Sequence, residues 1–148
     1  MSDIKSELVV MLNQALRLEH AARIQYLVQA ELVKGLNSEA IIEKLKEIAG
    51  DEAKHEEKFR KLISSYLGGE PTMEMAPTHK AKAIEEILNV NLKDEKTAID
   101  FYKQIHAKIM ANKDSLTYCF EALEHEVRHI ILDEQEHVVE ISTLLGNE

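Results

Sequence analysis

Residues 133–137, with the sequence Asp-Glu-Gln-Glu-His, decide the fold of this chain. An earlier segment, residues 51–55, has the same Asp-Glu-x-x-His pattern, and both lie in long stretches with a helical spacing of apolar residues. Glu and His three positions apart project from nearly the same helix face. A carboxylate and an imidazole placed in this way can bind one divalent metal ion. Two copies therefore predict a site for two ions.

The composition fits one domain that handles cations. The 148 residues are enough for a single domain, 1–148, with its own core. The formal net charge of −9 argues against nucleic-acid or membrane binding, since both need a positive surface. A single cysteine, Cys119, favours a reduced, cytoplasmic location. No stretch approaches the roughly 20 apolar residues of a membrane span, and no signal peptide is recognisable.

Turn-forming residues divide the chain into four long segments rich in helix-forming residues. Alternation with period two is rare, so the sequence predicts an all-α fold. Ser38 and Ser115 are candidate N-caps. The predicted helices cover approximately residues 4–34, 38–66, 78–112 and 115–145.

Each segment has one apolar stripe, and four amphipathic helices predict a four-helix bundle. The first and third breaks are short, so each joins an antiparallel helix pair. The middle break has about ten residues with two prolines, and at roughly 3.3 Å per residue it can run back along the bundle. We therefore predict one long crossover between helices two and three, and no fifth helix.

Every apolar stripe contains one glutamate near its middle, and two of these are followed by histidine. A carboxylate that faces a core is costly unless it is paired or bound to metal. The stripes offer no basic partner, although Arg23 lies beside one of them. The alternatives are stripes that tilt to leave the glutamates at an edge, or a metal-free scaffold that pairs them with Lys or Arg. The candidate ligands are Glu19, Glu52, His55, Glu95, Glu134 and His137.

Position along the bundle tests this ligand set. Glu19 and Glu52 lie about equally far from the first turn, as do Glu95 and Glu134 from the third, so each pair stands level in its hairpin. A further Glu-x-x-His occurs at residues 126–129, about 10 Å away from that level at about 1.5 Å per residue. We interpret its Glu and His as surface or edge residues.

An aspartate precedes the glutamate in both repeated motifs. A metal-binding histidine usually donates its other ring N–H to a carboxylate. We predict that Asp51 orients His137 across the bundle and that Asp133 orients His55. In the alternative, both aspartates are ordinary solvated helix residues.

These motifs resemble those of bacterioferritin and the wider ferritin-like di-iron carboxylate family. The resemblance extends over residues 12–141 and includes Leu-Glu-His at 18–20, with Tyr26 seven residues after Glu19. It implies a ferritin-like bundle that binds two irons per chain and forms a homo-oligomer, at least a dimer. The implied activity is that of a ferroxidase, which oxidises Fe²⁺ with O₂ or H₂O₂ in iron storage or detoxification.

The family resemblance also assigns individual roles. Glu52 and Glu134 would bridge the irons, Glu19 and His55 would complete one position, and Glu95 and His137 would complete the other. Tyr26 matches a tyrosine beside the centre, either an extra electron donor or a core aromatic with a hydrogen-bonded hydroxyl. Manganese is the alternative metal, because this ligand set suits both.

Two departures from the bacterioferritin pattern restrict these implications. The haem-ligating methionine of that family corresponds here to Ala53, so haem is not predicted. The fifth helix used in the 24-subunit shell is not expected, which leaves cage and dimer open. A rubrerythrin-like di-iron peroxidase or oxidase is the alternative enzyme, although its additional third-helix glutamate is replaced by Ala98.

Overall fold

A computed structural model describes residues 3–146, so Met1, Ser2, Asn147 and Glu148 of the predicted domain lie outside the described residues. Four long helices and no strand occur within residues 3–146, which confirms the all-α prediction. No helix among them is both long and apolar enough to cross a membrane. The helices are α1 (Asp3–Leu32), α2 (Ser38–Lys61), α3 (Ile84–Ala111) and α4 (Phe120–Leu145).

The crossover, residues 67–83, follows a π-helical turn, Leu62–Tyr66, and runs along α1. Successive parts of the crossover form hydrogen bonds with successive turns of α1, so the crossover runs parallel to α1. Helix α3 therefore starts at the same end of the bundle as α2, and these two helices point in the same direction. This confirms the four-helix bundle with one long crossover. The hydrogen bonds that hold it are Thr72 N–H to Asn13 Oδ1 (2.8 Å), Ala76 N–H to the Arg17 carbonyl (3.0 Å) and His79 N–H to Gln25 Oε1 (2.6 Å).

Helix α3 begins at Ile84, six residues later than the predicted start at residue 78. Residues 78–83 contain good helix formers, but the bond from His79 to Gln25 holds them in the crossover. The side chain of Ala81 is buried in the same segment. Glu86 then accepts a hydrogen bond from Lys82 N–H at 2.9 Å, which satisfies a donor ahead of the first turn.

The start of α4 and both predicted N-caps also differ from expectation. Helix α4 begins at Phe120 rather than near residue 115, because Leu116 is fully buried in the preceding turn. Ser115 belongs to a short 3₁₀ turn, and Cys119 takes the cap position of α4. At α2 the cap is Asn37, whose φ of 64° lies in the left-handed region that Asn tolerates.

The apolar core consists of two clusters at opposite ends of the bundle. One cluster contains side chains from the first part of α1 and from the last parts of α2 and α3. The other cluster contains side chains from the last part of α1 and from the first parts of α2 and α3. Every helix contributes to both clusters, with an intervening stretch that holds its candidate ligands. The fold therefore places a buried polar layer between two apolar clusters.

Two glycines give a matched test of packing. A Cβ on Gly69 would lie 2.7 Å from Cγ2 of Val9, whereas a Cβ on Gly50, within α2, would meet nothing within 4 Å. We expect Gly69→Ala to lower the free energy of unfolding by about 1–3 kcal/mol through overpacking. Gly50→Ala should raise it by roughly 0.5–1 kcal/mol, because alanine favours helix. Urea denaturation checks both, and equal effects would contradict the close approach at Gly69.

Candidate metal centre

The six candidate ligands lie together in the polar layer, each at most 3% exposed. They form two groups, and within each group the donor atoms all lie within 4.8 Å of one another. One group contains Glu19, Glu52, His55 and Glu134, and the other contains Glu52, Glu95, Glu134 and His137. Glu52 and Glu134 belong to both groups. The four helices thus bring four carboxylates and two imidazoles to one place.

Each of these six residues has one buried side-chain atom without a hydrogen-bond partner. An orphaned buried polar atom costs about 1–3 kcal/mol, so six at one place indicate that a binding partner belongs there. Carboxylate oxygens with imidazole nitrogens suit Fe²⁺ and Mn²⁺. The residues therefore fit a pair of divalent ions. The orphaned atoms are Glu19 Oε2, Glu52 Oε1, His55 Nδ1, Glu95 Oε2, Glu134 Oε1 and His137 Nδ1.

Aspartates orient both histidines from across the bundle. Nε2 of His55 lies 2.8 Å from Oδ2 of Asp133, and Nε2 of His137 lies 2.9 Å from Oδ2 of Asp51. With the Nε2–H donated to a carboxylate, the lone pair of a neutral ring is on Nδ1. That nitrogen faces the centre, since Nδ1 of His55 lies 3.0 Å from Oε1 of Glu134 without a hydrogen-bonding alignment.

Burial and mutual repulsion shift the pKa values of the shared carboxylates. Burial raises the pKa of Glu52 and of Glu134 well above the ordinary value, and the surrounding glutamates raise both further. Burial also acts to raise the pKa of Glu95, but the neighbouring side chains of Glu134 and His137 outweigh burial, and this pKa is lowered. The metal-free centre therefore retains protons that offset part of its negative charge.

The two histidines hold protons as well. Burial lowers a histidine pKa, but the carboxylates of Glu134 and Glu19 outweigh burial and raise the pKa of His55 to about 11. Burial is likewise outweighed at His137, where Glu95 and Asp51 raise the pKa to about 9. Both imidazoles are therefore protonated at neutral pH until a metal ion displaces the proton.

Metal binding should consequently release protons, and metal affinity should fall as the pH falls. The raised pKa values of His55 and His137 mean that both rings lose a proton on binding near pH 7. We expect at least about two protons per chain, and roughly a tenfold loss of affinity per proton for each pH unit of acidification. Calorimetric Co²⁺ titrations in buffers of different ionisation enthalpy, from about pH 6 to 8, measure both quantities. A pH-independent affinity would contradict the protonated centre.

Two tyrosines bond to the ligands in a crossed arrangement between α1 and α3. The hydroxyl of Tyr26 donates to Oε1 of Glu95, and that of Tyr102 donates to Oε1 of Glu19, both at 2.7 Å. Burial, and then the nearby carboxylates, raise the pKa of both tyrosines well above the ordinary value, so both remain phenols. The sequence analysis missed Tyr102, although each tyrosine follows its helix's site glutamate by seven residues.

A cavity of about 110 Å³ adjoins the centre and extends to the crossover at Pro77 and His79. Glu52, Glu95 and Glu134 line its inner part. Ala98 also lines it, at the position where a rubrerythrin-like protein has an additional glutamate. The small side chain keeps this space open beside the carboxylates.

The second Glu-x-x-His of α4, residues 126–129, lies apart from the six candidate ligands. Glu126 lies 3.5 Å from Nζ of Lys58, and neither Glu126 nor His129 belongs to the metal-binding groups. Arg23, the basic residue that lies beside the apolar stripe of Glu19, pairs with Glu56 instead. These contacts do not support the pairing that the metal-free scaffold predicts.

Several solved structures of ferritin-like proteins are similar to this chain. The ferritin-like, di-iron-carboxylate protein of Bacillus anthracis str. Ames is 27% identical, with a TM-score of 0.89 over 98% of this chain and 99% of that chain. The Desulfovibrio desulfuricans bacterioferritin is 26% identical, with a TM-score of 0.84 over 96% and 80%. The dodecameric thioferritin of Bacteroides fragilis, a bacterioferritin-related protein, is 26% identical, with a TM-score of 0.81 over 97% and 86%.

No curated protein matches the chain significantly. The family model described as the ferritin-like domain matches residues 9–148, nearly the whole chain. Together with the structural similarities, this match confirms the resemblance inferred from the sequence motifs. The chain belongs to the ferritin-like family.

Proposed function

We propose that this protein is a di-iron ferroxidase of the bacterioferritin type, which oxidises Fe²⁺ with O₂ or H₂O₂. The observation that supports this most strongly is the set of six buried ligand residues, each with one donor atom lacking a partner. The negative charge of four carboxylates balances the positive charge of two Fe²⁺ ions. The chemistry that bound iron would supply is the release of one electron from each Fe²⁺ to the oxidant. Manganese is the alternative metal.

In this proposal some residues bind the two ions and others orient the residues that bind them. Glu52 and Glu134, which occur in both groups, would contact both ions. Glu19 and His55 would complete one position, and Glu95 and His137 the other. Asp133 and Asp51 hold the imidazoles with Nδ1 inward, and burial between the two apolar clusters excludes bulk water.

In this proposal Tyr26 donates an electron to the oxidant and a proton to a neighbouring carboxylate. Its raised pKa keeps the phenol protonated, so loss of an electron has to be accompanied by loss of the hydroxyl proton. Oε1 of Glu95, 2.7 Å from the hydroxyl, is positioned to accept that proton. Tyr102 and Glu19 offer the same pair on the other side of the centre.

An anaerobic Fe²⁺ titration followed by exposure to O₂ tests the proposed activity. We expect a fast phase that oxidises about two Fe²⁺ per chain, because the structure offers two groups of ligands. Stopped-flow absorbance and oxygen consumption measure it. Protein preloaded with Zn²⁺, which is not oxidised, is the control and should lack the fast phase. A stoichiometry unrelated to two per chain would rule out a dinuclear ferroxidase centre.

The rubrerythrin-like alternative uses the same kind of ligands but a different oxidant preference. Parallel assays with O₂ and H₂O₂ separate the two: turnover with H₂O₂ alone would favour the peroxidase. The open space beside Ala98 favours the ferroxidase, since a rubrerythrin-like glutamate is missing there.

We further propose that the protein acts in the cytoplasm as a homo-oligomer without haem. The structurally similar thioferritin is dodecameric, and α1 exposes the apolar side chains of Ile24, Leu27 and Val28 for a protein contact. Ala53 offers no thioether to haem. Light scattering should find at least a dimer, and a monomer would contradict the oligomer.

A further inference from the structure

Two histidines on α4 differ from the other five in their surroundings. His125 is exposed and His129 is half-buried, one helical turn further on. Their rings stack with centroids 4.1 Å apart and planes inclined by 9°. The remaining histidines, by contrast, each place a ring nitrogen within hydrogen-bonding distance of a carboxylate or a carbonyl. These are His20, His55, His79, His106 and His137.

The ring nitrogens of the stacked pair have no protein partner. Among residues 3–146, neither His125 nor His129 makes a hydrogen bond or an ion pair, and their rings stack on each other. His125 is exposed, and neither ring nitrogen of the half-buried His129 is a fully buried orphan. Two adjacent imidazoles on this helix therefore have no hydrogen-bond or ion-pair partner within residues 3–146.

The spacing of the rings suits one metal ion. Metal–imidazole bonds are about 2.0–2.1 Å long, so two nitrogens on one ion lie at most roughly 4.2 Å apart. The ring centroids are 4.1 Å apart and the planes are inclined by only 9°, so the in-plane nitrogen lone pairs of the stacked rings run nearly parallel and do not yet converge on one point. Both side chains stand on adjacent turns of a rigid helix, so rotation of the two rings can bring one nitrogen of each onto the same ion. Water can fill the remaining coordination positions.

Nearby charges do not oppose a cation. Arg128, between the two histidines in sequence, is held by Glu124 at 2.7 Å. Lys58 on α2 is paired with Glu126 at 3.5 Å. The same row of α4 continues one turn either way to Glu121 and Asp133, which bring carboxylates to both sides of the pair.

We propose that His125 and His129 form a surface site for a divalent first-row transition-metal ion, separate from the buried centre. The site lies one turn from Asp133, whose carboxylate bonds to His55, so an ion held there is at the outer edge of the buried ligand set. The donors are two imidazole nitrogens and water, a set that suits Zn²⁺, Co²⁺ and Fe²⁺.

Calorimetric titration of the metal-free protein with Zn²⁺ alone tests the site. Wild type should bind one more Zn²⁺ ion per chain than His125→Ala or His129→Phe. This difference does not depend on how many Zn²⁺ ions the buried centre binds. The phenylalanine keeps an aromatic ring in the stack while removing both nitrogens, so a loss of binding would not reflect lost packing. Each single change should weaken this equivalent at least about tenfold, since one of two protein ligands is removed.

His106→Ala is the matched control. Nε2 of His106 lies 3.0 Å from Oε2 of Glu124, so this substitution should leave the number of bound Zn²⁺ ions unchanged. Ring resonances of His125 and His129 in NMR spectra should shift together as the extra equivalent binds. The proposal is overturned if wild type and both variants bind equal amounts of Zn²⁺, or if only one of the two histidines matters. A failed ferroxidase assay would leave this result unaffected, because the test counts ions rather than turnover.

Discussion

Replacing Glu134 by alanine is expected to abolish Fe²⁺ oxidation while the helical bundle stays folded. Glu134 belongs to both metal-binding groups, so one substitution removes a ligand from each position. Even the outer partners of metal ligands change affinity or activity by about 10–100-fold when mutated, and loss of a shared ligand should cost at least about 100-fold. Folding should survive, because burial already disfavours the ionised form and raises the pKa of this carboxyl. Stopped-flow oxidation and circular dichroism measure the two effects.

The matched control for this variant is Glu126→Ala, on the same helix and in the same Glu-x-x-His spacing. Its side chain faces Lys58 rather than the centre, so oxidation at the wild-type rate is expected. Retained oxidation in Glu134→Ala would refute the ligand assignment. An equal loss in both variants would attribute the effect to α4 as a whole rather than to the site.

Loading the centre with Co²⁺, an ion of similar ligand preference, is expected to raise the melting temperature strongly. An ion that binds only the folded state at about 100 times its Kd adds about 2.7 kcal/mol, so two ions add roughly 5 kcal/mol. For a domain of this size the melting temperature should rise by roughly 10–20 °C. The physical reason is that both ions satisfy orphaned buried atoms at the centre. Thermal denaturation followed by circular dichroism, with and without Co²⁺, measures the shift.

Two variants separate this stabilisation from weaker binding elsewhere. Glu134→Ala should lose most of the shift, since both positions lose a ligand. His125→Ala should keep most of it, because a solvent-exposed two-histidine site contributes less than the buried centre. The interpretation fails if Co²⁺ stabilises Glu134→Ala as much as wild type.

The candidate ligand set could be selected from the sequence because residue spacing fixes the direction of side chains on a helix. Glu and His three apart share a face, and residues equally far from a tight turn stand level in a hairpin. These two rules select Glu134 over Glu126, and the structure places Glu134 in the centre and Glu126 beside Lys58. The bundle and its crossover followed from the same periodicity and from the position of the prolines.

The parts that sequence could not provide depend on contacts between distant segments. The start of α3 was misplaced because the hydrogen bond from His79 N–H to Gln25, which holds this part of the chain in the crossover, leaves no local pattern in the sequence. Tyr102 was overlooked because an aromatic residue in an apolar stripe is usually core, and its bond to Glu19 exists only once α1 and α3 meet. Its seven-residue offset from Glu95 was the available signal.

The division of ligands between the two helix pairs has a consequence for assembly. One metal group takes three residues from the α1–α2 pair and one from the α3–α4 pair, and the other group reverses these proportions. Each helix pair carries a Glu, a Tyr seven residues later and an Asp-Glu-x-x-His, so the chain resembles two fused copies of a simpler unit. Such a unit could complete two sites by self-association, and an origin by duplication would explain why neither half holds a full site.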